Sequence, residues 1–326
     1  MSETTAPSSQ RLIPLVAIVG PTAIGKTALG VYLAQHFNGE IVSADSRQFY
    51  RLMDIGTAKP TPAELAAAPH HLINIAYPDE TVGLSQFLHL AREAITDING
   101  RNKLPLLVGG TGQYIRALLQ GWQVPDIPPD EELRAELEAR AETDPEGLWQ
   151  QLMALDPATE AFIDRRNLRR VIRALEVTLK SGQPFSALRR RTPPPFRVLS
   201  LGLTTDRAVL YQRADARVDR MIEAGLPAEV QDLVDRGYSW RLPAMSGLGY
   251  IQFRPYIDTE VGLGKADLGE VVERIKIETH DFIRRQYTWF RPKASDIHWL
   301  DALSPQRHET AGQGITNFLA QSKPIS

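Results

Sequence analysis

Residues 15–27, Leu-Val-Ala-Ile-Val-Gly-Pro-Thr-Ala-Ile-Gly-Lys-Thr, run an apolar segment directly into a G-x-x-x-x-G-K-T loop. A short apolar run of this kind reads as a buried strand, and the loop behind it calls for a helix immediately after, here from about Ala28 to Phe37. Gly20 and Gly25 let the backbone turn its N–H groups inward along Pro21, Thr22, Ala23 and Ile24. Lys26 places a point charge on terminal phosphates, and Thr27 offers a hydroxyl to Mg2+. The positive end of the following helix faces the same anion. The pattern predicts phosphate chemistry without naming the owner of the phosphates, because kinases, NTPase motors, GTPases and enzymes that expel pyrophosphate all use it.

The elements around the loop alternate. Strand patterns at 15–20, 40–44 and 104–109 are separated by helical patterns at 28–37, 62–67 and 83–99, which predicts a parallel sheet with helices on both faces. After Gly-Gly-Thr-Gly at 109–112 and a short helix to Gln120, residues 121–129 are rich in Pro and Gly. Residues 130–190 then read as helices only, a strand resumes at 196–203, and 206–224 and 226–236 are helical. The fold class predicted is therefore α/β: a P-loop NTPase-like parallel sheet flanked by helices, carrying an all-helical insertion. The expected boundaries are a disordered tail at 1–11, an α/β core from 12–120 and 196–304, the insertion at 121–195, and a C-terminal tail at 305–326.

At 326 residues the chain is long enough for about two domains. No run approaches the roughly 18 apolar residues of a membrane span, so no membrane partner is expected. There are no cysteines, which excludes disulfides, thiolate zinc sites and cysteine nucleophiles. The polar start lacks the pattern of a secretory signal, and a cytoplasmic enzyme fits these features.

The net charge of −2 conceals a block asymmetry. Residues 126–164 hold 12 acids and only two arginines, Arg134 and Arg140, whereas residues 165–197 hold 10 basic residues and one acid, Glu176. Either the second block meets a polyanion or the two halves neutralise each other in a salt-bridged hairpin. Periodicity favours the first. Leu168, Val171, Ile172, Leu175 and Leu179 share one side of a helix, and Arg166, Arg169, Arg170, Arg173 and Lys180 share the other, a spacing suited to successive backbone phosphates. Arg173 in particular is placed to pair with a protein carboxylate instead.

Asp45 follows the second strand directly, at the carboxyl edge where ligands of such sheets collect. A carboxylate there acts as a general base beside the phosphate loop or reaches Mg2+ through water; the competing role is a turn or helix cap.

Seven segments together carry a resemblance: Gly-Pro-Thr-Ala-Ile-Gly-Lys-Thr (20–27), Asp-Ser-Arg-Gln-Phe-Tyr (45–50), Met-Asp-Ile-Gly-Thr-Ala-Lys-Pro (53–60), His-His-Leu-Ile (70–73), Val-Gly-Gly-Thr-Gly-Gln-Tyr (108–114), Arg-Arg-Val-Ile-Arg-Ala-Leu-Glu-Val (169–177) and Arg-Arg-Gln-Tyr-Thr-Trp-Phe-Arg (284–291). In this order they resemble the tRNA dimethylallyltransferases over about residues 12–300. The resemblance implies transfer of a five-carbon allylic group from dimethylallyl diphosphate to N6 of adenine 37 in tRNAs carrying A36-A37-A38 in the anticodon loop. The phosphate loop then grips the donor's diphosphate rather than ATP, with Mg2+ as cofactor. By the same resemblance Arg217 joins Lys26 and Thr27 on the leaving group, and Asp45 is the base. The implied tRNA contacts are Asp45, Ser46, Arg47, Gln48, Thr111, Arg134, Arg166, Asn167, Leu168, Arg169, Arg170, Ser246, Gly247, Gly249, Tyr250, Arg284, Arg285 and Gln286, and the implied state is a monomer. Arg47 stands where the family more often has Met, and His280-Asp281-Phe282-Ile283 replaces its usual Arg-containing lead into the Arg-Arg-Gln triplet. Three alternatives remain open: an adenylate isopentenyltransferase acting on free nucleotides, a P-loop small-molecule kinase, and a non-catalytic RNA-binding module.

Overall fold

The computed structural model describes residues 12–125, 127–128, 130–257, 265–291 and 294–321. The expected tail at 1–11 and residues 322–326 lie outside these. Strand β1 (Ile13–Val19) leads through the loop into helix α1 (Lys26–His36), followed by β2 (Gly39–Ser43), α2 (Pro62–Ala67), β3 (His70–His71), α3 (Leu84–Gly100), β4 (Leu104–Val108) and α4 (Gly112–Leu119). β1 pairs in parallel with β4, and β2 in parallel with both β3 and β4. Leu15, Val16 and Ile18 are completely buried because β1 is central and covered on both faces. Each such side chain contributes roughly 1.5–3 kcal/mol to keeping the strand there. α2 is short but well specified: Thr61 and Glu64 form a reciprocal capping box and Pro62 occupies the first turn. α3 buries Phe87, Leu88, Ala91, Ile95 and Ile98, one stripe at helical spacing.

The chain divides into two compact units, one comprising 1–83, 87–119 and 195–326, the other 84–86 and 120–194. The second contains β5 (Trp122–Gln123), α5 (Glu131–Thr143), α6 (Pro145–Leu155), α7 (Leu168–Ser181), α8 (Phe185–Leu188) and β6 (Arg190–Arg191). β5 and β6 form an antiparallel ribbon at the two ends of the insertion, a feature that two-residue strands leave without a periodic signal. The unit has its own core, built on Leu137, Leu148, Trp149, Leu152, Val171, Ile172 and Leu175. Leu179, expected on the packed face of α7, is 43% exposed because it lies in the last turn of the helix.

The first unit resumes with β7 (Phe196–Thr204), α9 (Arg207–Glu223), α10 (Leu226–Asp235), α11 (Arg254–Ile257), α12 (Lys265–Trp289), β8 (His298–Asp301) and α13 (Arg307–Ala320). The sheet order is β3-β2-β4-β1-β7-β8, with β7 parallel to β1 and β8 parallel to β7. The C-terminal stretch expected to be a tail is instead helical over 307–320. α13 buries Ala311, Ile315 and Phe318 in the same core as Val16, Leu33 and Leu201. Three buried apolar residues and the partly buried Leu319 carry that docking among polar neighbours, so the segment reads as polar in sequence. None of the described helices is long and apolar enough to cross a membrane.

Candidate active site

Four segments at the carboxyl edge of the sheet meet around two cavities: the loop after β1, the turn after β2, the turn after β4, and the facing sides of α9 and α12. The loop is held from outside its own sequence. Gln286 of α12 accepts a hydrogen bond from the Thr22 N–H at 2.8 Å and donates to the Gly110 carbonyl at 3.1 Å, clamping the loops after β1 and β4 together. Gln286 is 5% exposed, and both ends of its amide are engaged in this clamp. In this geometry the side chain is a tether on the phosphate loop at the wall of the larger cavity. Gly20 adopts φ 143°, and a Cβ there would sit 2.8 Å from the Leu203 carbonyl oxygen. Only glycine lets the loop approach β7 so closely.

Lys26 donates from Nζ to the Pro21 carbonyl at 2.7 Å. Arg217 of α9 donates from Nη1 to Thr22 Oγ1 at 3.2 Å. Burial pushes Lys26 down to about 8; Asp45 partly offsets this and Arg217 adds to it. Burial likewise lowers Arg217, with Asp45 opposing and Arg220 reinforcing the shift. Lys26, Lys59, Arg217 and Arg220 line one space with two carboxylates, Asp45 and Glu64, the latter engaged in the cap of α2. A cluster with excess positive charge in a partly desolvated site is arranged for a polyanion.

Asp45 shapes a turn and lines both cavities. Its Oδ1 accepts the Arg47 N–H at 3.1 Å and its carbonyl accepts the Gln48 N–H at 3.1 Å, fixing a tight turn. The other carboxylate oxygen is left for the cavities. Ser46 donates its N–H to Thr111 Oγ1 at 3.1 Å, which locks this turn to the one after β4. Gln48 is turned inward: its amide accepts from Ser43 Oγ at 3.0 Å and donates to the Ala58 carbonyl at 3.1 Å, so it supports the turn rather than presenting an edge to a base. Arg47 donates to the Pro243 carbonyl at 2.6 Å, the oxygen that also accepts from Ser246 Oγ at 2.7 Å.

One cavity, about 350 Å³, is lined by Lys26, Thr27, Ser43, Lys59, His70, Val108 and Arg220. The other, about 470 Å³, is lined by Gly56, Thr111, Ser246 to Gln252, Phe282, Arg285 and Trp289. Thr22, Asp45 and Arg217 line both. The shared wall is the chemically informative feature, because it puts one carboxylate and one guanidinium between an anion-holding chamber and a larger, more apolar one. Tyr250 is buried with its hydroxyl on Glu229 Oε1 at 2.7 Å. Arg284 pairs with Asp281 one turn back and donates to the Tyr211 hydroxyl, while Arg285 lines the larger cavity.

In the second unit, taken by itself, the charged residues divide. Glu176 is fully buried and accepts from Arg134 Nη2 at 2.7 Å, Arg173 Nη1 at 2.8 Å and the Asp130 N–H at 2.8 Å. Burial pushes its carboxyl up, and Arg173, the Asp130 N–H and Arg134 together overcome that and hold it below the usual range. Arg134 and Arg173 thus belong to an internal ion cluster, and Lys180 adds a contact to Asp130 at 3.4 Å. Arg166, Asn167, Arg169 and Arg170 are exposed, as are Arg189, Arg190 and Arg191, and Leu168 is half-buried at the start of α7. The cationic stripe therefore survives at one end of α7, while its other half closes the hairpin.

A family model described as IPP transferase matches residues 48–293, and one described as isopentenyl transferase matches residues 13–74. The chain is 58% identical to a tRNA dimethylallyltransferase of Chloroflexus aurantiacus over 278 residues, 85% of this chain and 92% of the relative. It is 44% identical to a tRNA dimethylallyltransferase of Dehalococcoides mccartyi over 98% of this chain and 95% of the relative. Among solved structures, the full-length tRNA isopentenylpyrophosphate transferase of Bacillus halodurans is similar at a TM-score of 0.69 and 39% identity, covering 95% of this chain and 98% of that one. A eukaryotic dimethylallyltransferase crystallised acting on tRNA is similar at a TM-score of 0.80 and 29% identity, covering 96% and 81%.

Proposed function

The chain belongs to the IPP transferase family, and from that premise we propose that it transfers a dimethylallyl group from dimethylallyl diphosphate to N6 of adenine 37 of tRNA. The observation that carries the reading is the wall of Thr22, Asp45 and Arg217 common to both cavities. The diphosphate occupies the cationic chamber, held by loop N–H groups, Lys26 and Arg217. The allylic carbon points past Asp45 into the larger chamber, which receives the adenine.

The exocyclic amine is a weak nucleophile because its lone pair is delocalised into the ring, so it must shed a proton as it attacks. The N6–C1 bond forms, the C1–O bond breaks with its electron pair leaving on the diphosphate, and the N6 proton passes to the free oxygen of Asp45. Lys26 and Arg217 neutralise the charge that develops on the departing oxygen.

Thr27 and Asp45 supply only oxygen donors to the smaller cavity, and no cluster of three or more acidic or histidine ligands occurs among the described residues. That set fits Mg2+, a hard cation that takes most of its ligands from phosphates and water. When bound, the ion would add Lewis-acid neutralisation of the diphosphate.

Adenine 37 reaches such a chamber only by leaving its stack, which requires a broad surface to hold the anticodon stem. We assign that holding to the exposed arginines of α7. Replacing Arg169 and Arg170 together by alanine should weaken tRNA binding and reduce the slope of log K against log salt by about two at most. Titration of tRNA at several salt concentrations checks this; an unchanged slope would remove both from the interface. The reading as a whole is tested by offering labelled dimethylallyl diphosphate and Mg2+ to unmodified tRNA carrying A36-A37-A38, with AMP and ATP as competing acceptors. Label on the tRNA adenine is the expected outcome. Label on a mononucleotide would reassign the acceptor, and ATP consumption without transfer would point to a kinase.

A further inference from the structure

Glu229, on α10, makes contacts that the transfer reaction as described leaves unexplained. Its Oε2 accepts the N–H groups of Asp54 at 2.9 Å and Ile55 at 2.8 Å, and its Oε1 accepts the Gly56 N–H at 3.1 Å and the Tyr250 hydroxyl at 2.7 Å. Three successive backbone N–H groups converging on one anion form a nest of the kind that elsewhere holds a phosphate, here filled by the protein's own carboxylate. The packing around it leaves no freedom. A Cβ on Gly56 would lie 2.5 Å from the Tyr250 ring, so the two loops bracketing Glu229 interlock.

Both bracketed loops line the larger cavity, one through Gly56 and Thr57 and the other through Ser246 to Gln252. The first continues to Ala58, whose carbonyl accepts the Gln48 amide beside the Asp45 turn. Neither loop contributes regular sheet hydrogen bonds of its own at these residues. Besides the direct packing of Gly56 on the Tyr250 ring, what joins them is the carboxylate between them.

We propose that Glu229 is a positioning residue for the acceptor chamber: its carboxylate fills the 54–56 nest and, through the Tyr250 hydroxyl, sets the distance between the two loops that receive the tRNA adenine. The proposal rests on the tRNA prenylation reading and deepens it. It predicts an effect on the acceptor side, since Glu229 hydrogen-bonds neither the phosphate loop nor α12, and Lys59, which the same loop carries to the smaller cavity, is held independently by the Tyr50 carbonyl and the Asn74 amide.

The test is steady-state transfer by E229A with tRNA and dimethylallyl diphosphate varied separately, repeated in the presence of sodium acetate with sodium chloride as the ionic-strength control. The expected result is a KM for tRNA raised about tenfold or more, corresponding to the loss of several charge-assisted hydrogen bonds, with the KM for dimethylallyl diphosphate unchanged. Acetate, which fits the vacated nest, should restore a substantial part of the lost kcat/KM for tRNA. A KM for tRNA equal to that of the unmodified protein would overturn the proposal, and so would a loss that falls equally on both substrates and ignores acetate. If E229A fails to fold, as judged by its thermal melt, Y250F carries the test, because it removes one of the four hydrogen bonds and keeps the ring. It should raise the KM for tRNA by a few-fold, and no change would overturn the proposal. Absence of transfer to tRNA by the unmodified protein would instead refute the reading beneath it, so the two failures are distinct.

Discussion

Asp45→Asn should lower the single-turnover rate of transfer to tRNA by about 10²–10⁴-fold, the range that a positioned general base contributes, while leaving tRNA affinity in place. The asparagine is the informative replacement. Its carbonyl oxygen keeps the hydrogen bond from the Arg47 N–H that shapes the turn, but it offers no carboxylate to take the N6 proton. Affinity for the donor's diphosphate should hold or tighten, because Asp45 is the carboxylate whose charge acts on both Lys26 and Arg217 and its removal leaves those cations less neutralised. A lost rate with retained or improved diphosphate binding separates proton transfer from ground-state binding. Rapid-quench transfer with saturating donor, alongside direct titration of tRNA and of an alkyl diphosphate, provides both numbers. A rate within about threefold of the unmodified protein would assign Asp45 to the turn alone, since that is far below what a general base supplies.

The parts of this site that the sequence makes legible are those fixed by local chemistry. A strand, a glycine-bounded loop and a helix adjoin one another in the chain, so Gly20 to Thr27 declare their geometry without reference to anything distant. Asp45 is nearly as readable, because a carboxylate directly after a buried strand has its place set by the sheet. The clamp on the loop is different in kind: Gln286 is 264 residues from Thr22, and only the folded α12 brings its amide to that N–H. The resemblance marks Gln286 within the Arg-Arg-Gln triplet, yet the identity of its partner is a tertiary fact. Gln48 shows the same limit, since a polar residue in a site loop reads as a ligand contact, and its bonds to Ser43 and Ala58 appear only in the fold.

The charge blocks of the second unit show why composition alone left two readings open. The internal pairing is seen in one half of α7, and the other half keeps its arginines exposed, as a polyanion surface requires. At the start of α7, Arg166, Arg169 and Arg170 stay exposed, whereas one turn later Arg173 and the distant Arg134 converge on Glu176, the single acid in the basic block. A buried carboxylate with no cation would be expensive, so Arg173 is drawn out of the surface stripe and joined by Arg134 of α5 to hold it. The sequence singles out Arg173 for such a pairing, but the part played by Arg134 is a tertiary fact. α13 and β8 were missed for another reason: β8 has four residues at the sheet edge, and α13 docks through a few apolar positions set among polar ones.

Lys26→Met should reduce the transfer rate by about 10²–10³-fold, the loss typical of removing one preorganised group from a developing anion. Its pH behaviour distinguishes this role from a purely structural one. In the free protein, burial holds Lys26 down to about 8, below the 10.5 of an exposed lysine. The sign follows from proton counts. Between these values the unfolded chain binds more protons than the folded one, so the burden of burying the ammonium is full below pH 8 and is relieved as pH rises toward 10.5. Anion binding reverses the preference, because a diphosphate beside Lys26 favours the charged form and raises its pKa. The complex then carries a proton that the free protein lacks above pH 8. Affinity for an alkyl diphosphate should therefore be flat from about pH 7 to 8 and fall above it, by about tenfold per pH unit at the steepest for a single linked proton. The terminal phosphate of such a ligand ionises near pH 6, so its own charge is constant over the window. Calorimetric titration from pH 7 to 10 checks the slope, and in Lys26→Met the fall should vanish while affinity is already reduced at pH 7. A slope that persists in the variant would transfer the linked proton to another group and leave Lys26 as a tie to the Pro21 carbonyl.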